Sequence, residues 1–403
     1  MTPTALPTTD GLPMTRGRCP FDPAPGLTAL RAQAPVARMV FPDGHVGWLV
    51  TGYETVRELL ADGRLSSRGD ALRSPIPLPM ADDRTEVAPG MFTAMDPPEH
   101  TRYRRKVAAW FSARRTRTLE PLLTALAEQH LDAMTAKGAD GTPVDLLTEF
   151  AEPMAASAIC ELLGVPVAER AHFADCVKRL FSVHSSAEDA IGGWQTIGGL
   201  LHGLIRAKKA EPTDDLLGTL VAEGDLDDAE LVTVGTVLLI AGYDTSANMI
   251  TLGTFALLQH PEQLAALVAD PALAPNAVEE LLRYLTIVHA GSIRAAGEDM
   301  EIAGHRVAAG DAISLSLAAA NRDPALVADP DRLDITREPV AHLAFGHGIH
   351  QCVGQQLARL ELRIAFEILL RRLPGLRLAV PADEIRTRAE MIIYGVHELP
   401  VTW

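Results

Sequence analysis

Residues 227–260, DDAELVTVGTVLLIAGYDTSANMITLGTFALLQH, are apolar on nearly every face of a helix. Such a helix has to be buried on all sides. It needs other helices around it, which excludes a small β domain and calls for a large, mainly helical one. The remainder of the chain can supply them. Its 403 residues are 47% apolar with only 5% aromatic, rich in alanine and leucine, and no linker interrupts them. We therefore expect one domain over residues 19–403, preceded by a polar, mobile tail at 1–18. The long helix carries an oddity at its middle, Ala241-Gly242-Tyr243-Asp244-Thr245-Ser246. Glycine, an acid and two hydroxyls oppose both helix propensity and burial. A polar notch closed by hydroxyl bonds to the preceding turn would be the bland explanation.

A second stretch, residues 343–362, LAFGHGIHQCVGQQLARLEL, reads as a glycine-kinked loop presenting Cys352 just ahead of an amphipathic helix. Leu357, Leu360, Ile364 and Ile368 form the apolar stripe of that helix. A cysteine at a helix start meets unpaired N–H groups and the positive end of the dipole, which favour the thiolate a metal needs. Gly346 and Gly348 allow a tight turn, and Phe345 can shield the sulfur. Three other readings compete. A lone cysteine is often a small buried hydrophobe. His342, His347, His350 and Cys352 offer zinc ligands, but without the usual paired spacings. Gly346-His347-Gly348 suggests a dinucleotide loop, yet Gln351 stands where its third glycine belongs.

Elsewhere, residues 36–41 and 46–50 read as strands joined by Pro42-Asp43-Gly44, and 53–62 as a short helix. Residues 63–93 show no period, as a functional or mobile loop would. His100 and Arg104 lie four apart on one helical face, either solvated or gripping a carboxylate. Glu280 and Arg283 are three apart in another helix, residues 300–317 alternate like short strands, and the C-terminus reads as a β-hairpin. Cys19, Cys160 and Cys176 have no disulfide framework spacing, and the last two fall in apolar helical patterns. A net charge of −16 argues against a nucleic-acid partner. Neither a signal-peptide order nor a membrane-length apolar run of ~18 residues is present, so a cytoplasmic protein is expected.

Phe345, Gly348, His350, Cys352 and Gly354 match the haem-ligand signature F-x-x-G-x-H-x-C-x-G, and on these residues the chain resembles the cytochromes P450. That family is the usual illustration of thiolate-ligated haem, in which the sulfur pushes electron density towards O–O cleavage. The resemblance implies a mainly α fold with small β-sheets, the triangular helical prism of the family, holding haem b (iron protoporphyrin IX). Cys352 would be its metal ligand. His100, Arg104, Arg294 and His350 would hold its propionates, and Phe345 and Gly354 would line it. Ala241 and Gly242 would leave room beside it for oxygen, with Asp244 and Thr245 relaying protons. Glu280, Arg283 and Arg332 would form a structural triad. The 63–93 loop with Ile76, Leu78, Met80 and Met91, lid helices within 163–209, Ile240, Ile287, Val288, His289 and Ile393 would surround the substrate.

The activity implied is monooxygenation, one oxygen atom of O2 entering a hydrophobic small molecule with electrons from NAD(P)H through a ferredoxin and its reductase. RYLTIVH, HQCVGQQLARLEL and YGVHELPVTW resemble the actinomycete subgroup acting on polyketides, macrolides, terpenoids or steroid-like compounds. Arg102, Arg105, Lys106, Arg114, Arg115 and Arg117, extended by Arg359 and Arg363, would form either a solvated face or a docking patch for the acidic ferredoxin. A soluble monomer is expected. A peroxide-driven enzyme or isomerase on the same fold, and a non-enzymatic haem or metal-binding protein, stay open.

Overall fold

The computed structural model describes residues 6–77, 87–170, 172, 173, 176, 187–290, 292–389 and 391–403, with the side chains of 187–191 excepted. The chain divides into two compact units, Met1–Glu86 with Phe255–Cys352 and Arg386–His397, and Val87–Thr254 with Val353–Ile385 and Glu398–Trp403. The chain passes between them repeatedly, once inside the helix Asp228–Gln259, so no linker marks the division in sequence. No helix among the described residues is long and apolar enough to cross a membrane.

The first unit is built on a six-stranded sheet. The expected hairpin is there: Val36–Val40 and Val46–Val50 pair antiparallel, from Val36 opposite Val50 to Val40 opposite Val46. Gly44 turns it at φ 82°, a left-handed position that favours glycine. Val46–Val50 then runs parallel to Ala312–Leu315, where a Cβ on Gly47 would fall 2.3 Å from the Ala312 carbonyl oxygen. Ile293–Ala296 and Leu65–Ser66 complete one side of the sheet. The other edge of the sheet takes in part of the N-terminal stretch. Thr8–Thr9 pairs parallel with Val36–Val40, and Arg16 lies 3.5 Å above the Tyr394 ring while donating to Asp22 O at 2.8 Å. The polar composition hid these anchors, which are backbone pairing and one cation–π contact.

The long helix spans Asp228–Gln259, with its residues up to Thr254 in the second unit. A reciprocal capping box starts it, Glu230 N–H to Asp227 Oδ1 and Asp227 N–H to Glu230 Oε2, both 2.9 Å. Burial opposes the charge of Glu230, but bonds from Arg102, Tyr103 and the Asp227 amide outweigh it and draw the carboxyl down to about 2. Gln355–Arg372 packs on Glu120–Lys137, burying Leu357, Leu360, Ile364 and Ile368 as the stripe predicts. Cys160 and Cys176 are core residues, and burial pushes the Cys160 thiol up to about 12.

Candidate functional site

The first unit holds the cysteine loop. Gly346 and Gly348 turn it at φ 68° and 75°, and a Cβ on Gly348 would meet Leu60 O at 2.5 Å, so the backbone passes only as glycine. Cys352 N–H donates to Phe345 O at 2.9 Å, closing the loop, and the cysteine itself is exposed and in no disulfide. His350 ends the short helix Gly348–His350. His342 accepts the Ala344 N–H on Nδ1 at 3.2 Å, which leaves its proton on Nε2 for Glu279, 3.1 Å away. That bond withdraws His342 from any zinc set. No group of three or more possible metal-ligating side chains occurs among the described residues.

Glu280 and Arg283 form the expected pair on Ala274–Leu285, bidentate at 2.8 Å with side chains 4% and 0% exposed. The third member is corrected. Arg332 is 66% exposed and lends Arg283 only its backbone oxygen, at 3.3 Å. Arg337 brings the second guanidinium to Glu280, at 3.4 Å. Spacing alone could not choose, because the loop between them decides which side chain turns inward. Arg294 lies buried on Ile293–Ala296. Residues 287–289 and 391–394 come together, with a bridge between Val288 and Ile393 and Tyr394 N–H donating to Ile287 O at 2.7 Å. His289, expected against substrate, directs Nε2 to the Met391 carbonyl, so it ties these two segments. Ile76, in the loop expected over the substrate, packs in the core with Met39 and Phe41.

In the second unit, His100 and Arg104 share the helix Glu99–Ala108. Burial first, then the Arg104 charge, hold the His100 imidazole below its usual range. Along the long helix, Ala241 is exposed, and Ile240 and Thr245 are half-buried, between flanking turns that are buried. Thr245 Oγ1 donates to Ala241 O at 2.7 Å, and Asn248 Nδ2 donates to Asp244 Oδ1 at 2.9 Å. At Gly242 a Cβ would approach Ile159 Cδ1 at 2.9 Å, so its small size serves packing on Glu152–Leu163. Gly354 caps Gln355–Arg372 without a side-chain bond or an acid in the first turn. Met91 is half-buried, while Met80 and Leu78 lie outside the described residues.

The reading missed Glu361. It is 2% exposed, its Oε2 has no hydrogen-bond partner among the described residues, and burial raises the carboxyl to about 8 against a bond from Ser246. A signal existed: Glu361 falls on the stripe of Leu357, Ile364 and Ile368, where an acid is out of place. The cationic cluster is also thinner than its sequence. Arg102 is bonded to Glu230, Lys106 to Glu223 and Asp225, and Arg363 to Glu120 and Glu367, while Arg105, Arg114 and Arg117 are exposed.

Each unit by itself carries parts that fit haem. One ends a tight loop on an exposed thiol and buries an arginine. The other opens an alanine between buried turns of its long helix and sets His100 and Arg104 on one face.

The family model for cytochrome P450 matches residues 204–376. Cytochrome P450 105C1 of a Streptomyces species is 47% identical, over 95% of this chain and 96% of the relative. Pentalenic acid synthase of Streptomyces avermitilis is 44% identical, over 96% and 95%. The solved structure of CYP105P1 in complex with filipin I superposes with a TM-score of 0.88 at 46% identity, over 99% of both chains.

Proposed function

The chain belongs to the cytochrome P450 family, monooxygenases that use haem b, and on that premise we propose that it oxygenates a hydrophobic natural product, with Cys352 as the residue that would hold the haem iron. The haem, when bound, supplies the activation of dioxygen, and the overall balance is substrate C–H plus O2, two electrons and two protons giving C–OH and water. This chain's residues do the remainder. The Phe345–Cys352 loop holds the sulfur on a backbone too tight to swing. His100 and Arg104 on the one hand, and Arg294 and His350 on the other, would hold the propionates by charge-assisted bonds. Thr245, its hydroxyl already donating to Ala241 O, accepts or passes a proton at Oγ1, and Asp244, steadied by Asn248, supplies it.

For substrate we favour a polyketide or terpenoid scaffold, because the names of the relatives point there: a synthase of pentalenic acid and a structure with filipin I. Ile240, Ile287, Val288 and Ile393 give the apolar contacts. Electrons come from NAD(P)H through an acidic ferredoxin that docks on Arg105, Arg114 and Arg117, in the cytoplasm.

The exposed Cys352 at the end of its glycine-restrained loop carries the reading. Reconstituted protein, reduced under carbon monoxide, is expected to give the red-shifted band of a thiolate-ligated haem, and Cys352→Ala to lose it. Product formed from the scaffold with NAD(P)H, ferredoxin and reductase, and not with hydrogen peroxide alone, separates a monooxygenase from a peroxide-driven enzyme. A colourless wild-type protein after haemin loading would end the proposal.

A further inference from the structure

Thr286 caps the helix Ala274–Leu285 in the left-handed region, φ 37° and ψ 76°. A β-branched residue stays there only when its surroundings over-determine it, and such outliers gather at functional sites. Here the surroundings are specific. The Thr286 hydroxyl spends its proton on Arg283 O at 2.8 Å and accepts from Asn321 Nδ2, also at 2.8 Å. Asn321 is fully buried, and its Oδ1 accepts the Leu343 N–H at 2.6 Å. Its carbonyl takes Arg283 Nη1 at 3.0 Å, and its own N–H donates to Leu317 O at 2.9 Å. The amide cannot be reversed, since a flipped Nδ2 would face the Leu343 N–H donor to donor.

One side chain therefore touches the residue that launches the 287–289 segment and the residue that opens the stretch leading to Cys352. We infer that Asn321 is a positioning residue that couples the pocket segment 287–289, through Thr286, to the cysteine loop, through Leu343. This rests on the roles proposed above for Cys352 and for 287–289. A ligand pressing on 287–289 would turn Thr286 out of its left-handed well and break the bond to Nδ2. The Asn321 side-chain amide, held then only at Oδ1, would shift the Leu343 N–H with it. Side chains with two discrete arrangements carry coupling of this kind.

The test uses full-length, haem-loaded protein and amide hydrogen exchange in peptides 286–290 and 343–352, with 152–163 as reference. Thr286→Val removes the hydroxyl and keeps the shape, while Thr286→Ser keeps the hydroxyl. We expect Thr286→Val to exchange roughly tenfold faster in both test peptides with the reference unchanged, and to lose part of the thiolate-type carbon monoxide band. Thr286→Ser should behave as wild type in both measurements. Acceleration confined to 286–290, or spread equally to the reference peptide, overturns the coupling. If Cys352 were not the haem ligand, wild type would lack the band, and the exchange result would still decide the coupling.

Discussion

Glu361 shows what a single buried carboxyl does to the chain. Burial raises it from 4.5 to about 8, so between those values the folded protein binds a proton that the unfolded chain has released. Stability from this group is complete below about 4.5 and is lost as pH rises to about 8, at up to about 1.4 kcal/mol per unit. Glu361→Gln, a neutral stand-in, is expected to match wild type in urea melts at pH 5 and to exceed it by several kcal/mol at pH 8.5. Parallel curves would show that the carboxyl is not held protonated. The corrected triad makes a second residue-scale prediction. Arg332→Ala removes an exposed side chain and should cost under about 0.5 kcal/mol, whereas Arg337→Ala takes a charge from buried Glu280 and should cost about 1–3 kcal/mol. Equal melting temperatures for the two variants would contradict this. The pair Glu280 and Arg283 was legible because its chemistry fixes residue types at short spacing. Arg337 and Glu361 were not, because their roles depend on how distant backbone folds back on them.

At the scale of elements, the sequence read well wherever burial set a period. The hairpin strands end within a residue of expectation, and the helix Tyr53–Ala61 is shorter by one. Contacts where two elements meet, such as that of Gly242, leave no such period in the sequence. Within the long helix a glycine costs about 1 kcal/mol relative to alanine, so its presence needs a neighbour, and Ile159 on Glu152–Leu163 is that neighbour. Gly242→Ala should therefore gain propensity yet lose more to overpacking, for a net loss of about 1–2 kcal/mol. In Ile159→Ala the added methyl has room, and Gly242→Ala on that background should turn neutral or stabilising. Thermal melts of the four proteins measure it. An unchanged cost in the Ile159→Ala background would mean that Gly242 is small for some reason other than this helix pair.

Over the whole molecule, charge sets two opposing demands. The chain carries −16, and an acidic ferredoxin would be repelled by it at long range. Local attraction has to come from exposed Arg105, Arg114 and Arg117, since Arg102, Lys106 and Arg363 already face acids of this chain. The two effects act over different distances, so salt separates them. Screening lengths are about 30 Å at 0.01 M, 10 Å at 0.1 M and 3 Å at 1 M. Raising salt from the lowest value first removes the net repulsion while close contacts survive, and only later weakens the patch. The rate of reduction by ferredoxin should thus rise, peak near about 0.1 M and fall. With Arg105→Glu and Arg117→Glu together, the three positions carry a net −1 despite Arg114, so repulsion dominates, and the rate should start lower and climb steadily with salt, while substrate affinity holds. Stopped-flow reduction across that range checks both shapes, and a wild-type rate that only falls from the lowest salt upward would show that this patch outweighs the net charge at every distance or that the partner is not acidic.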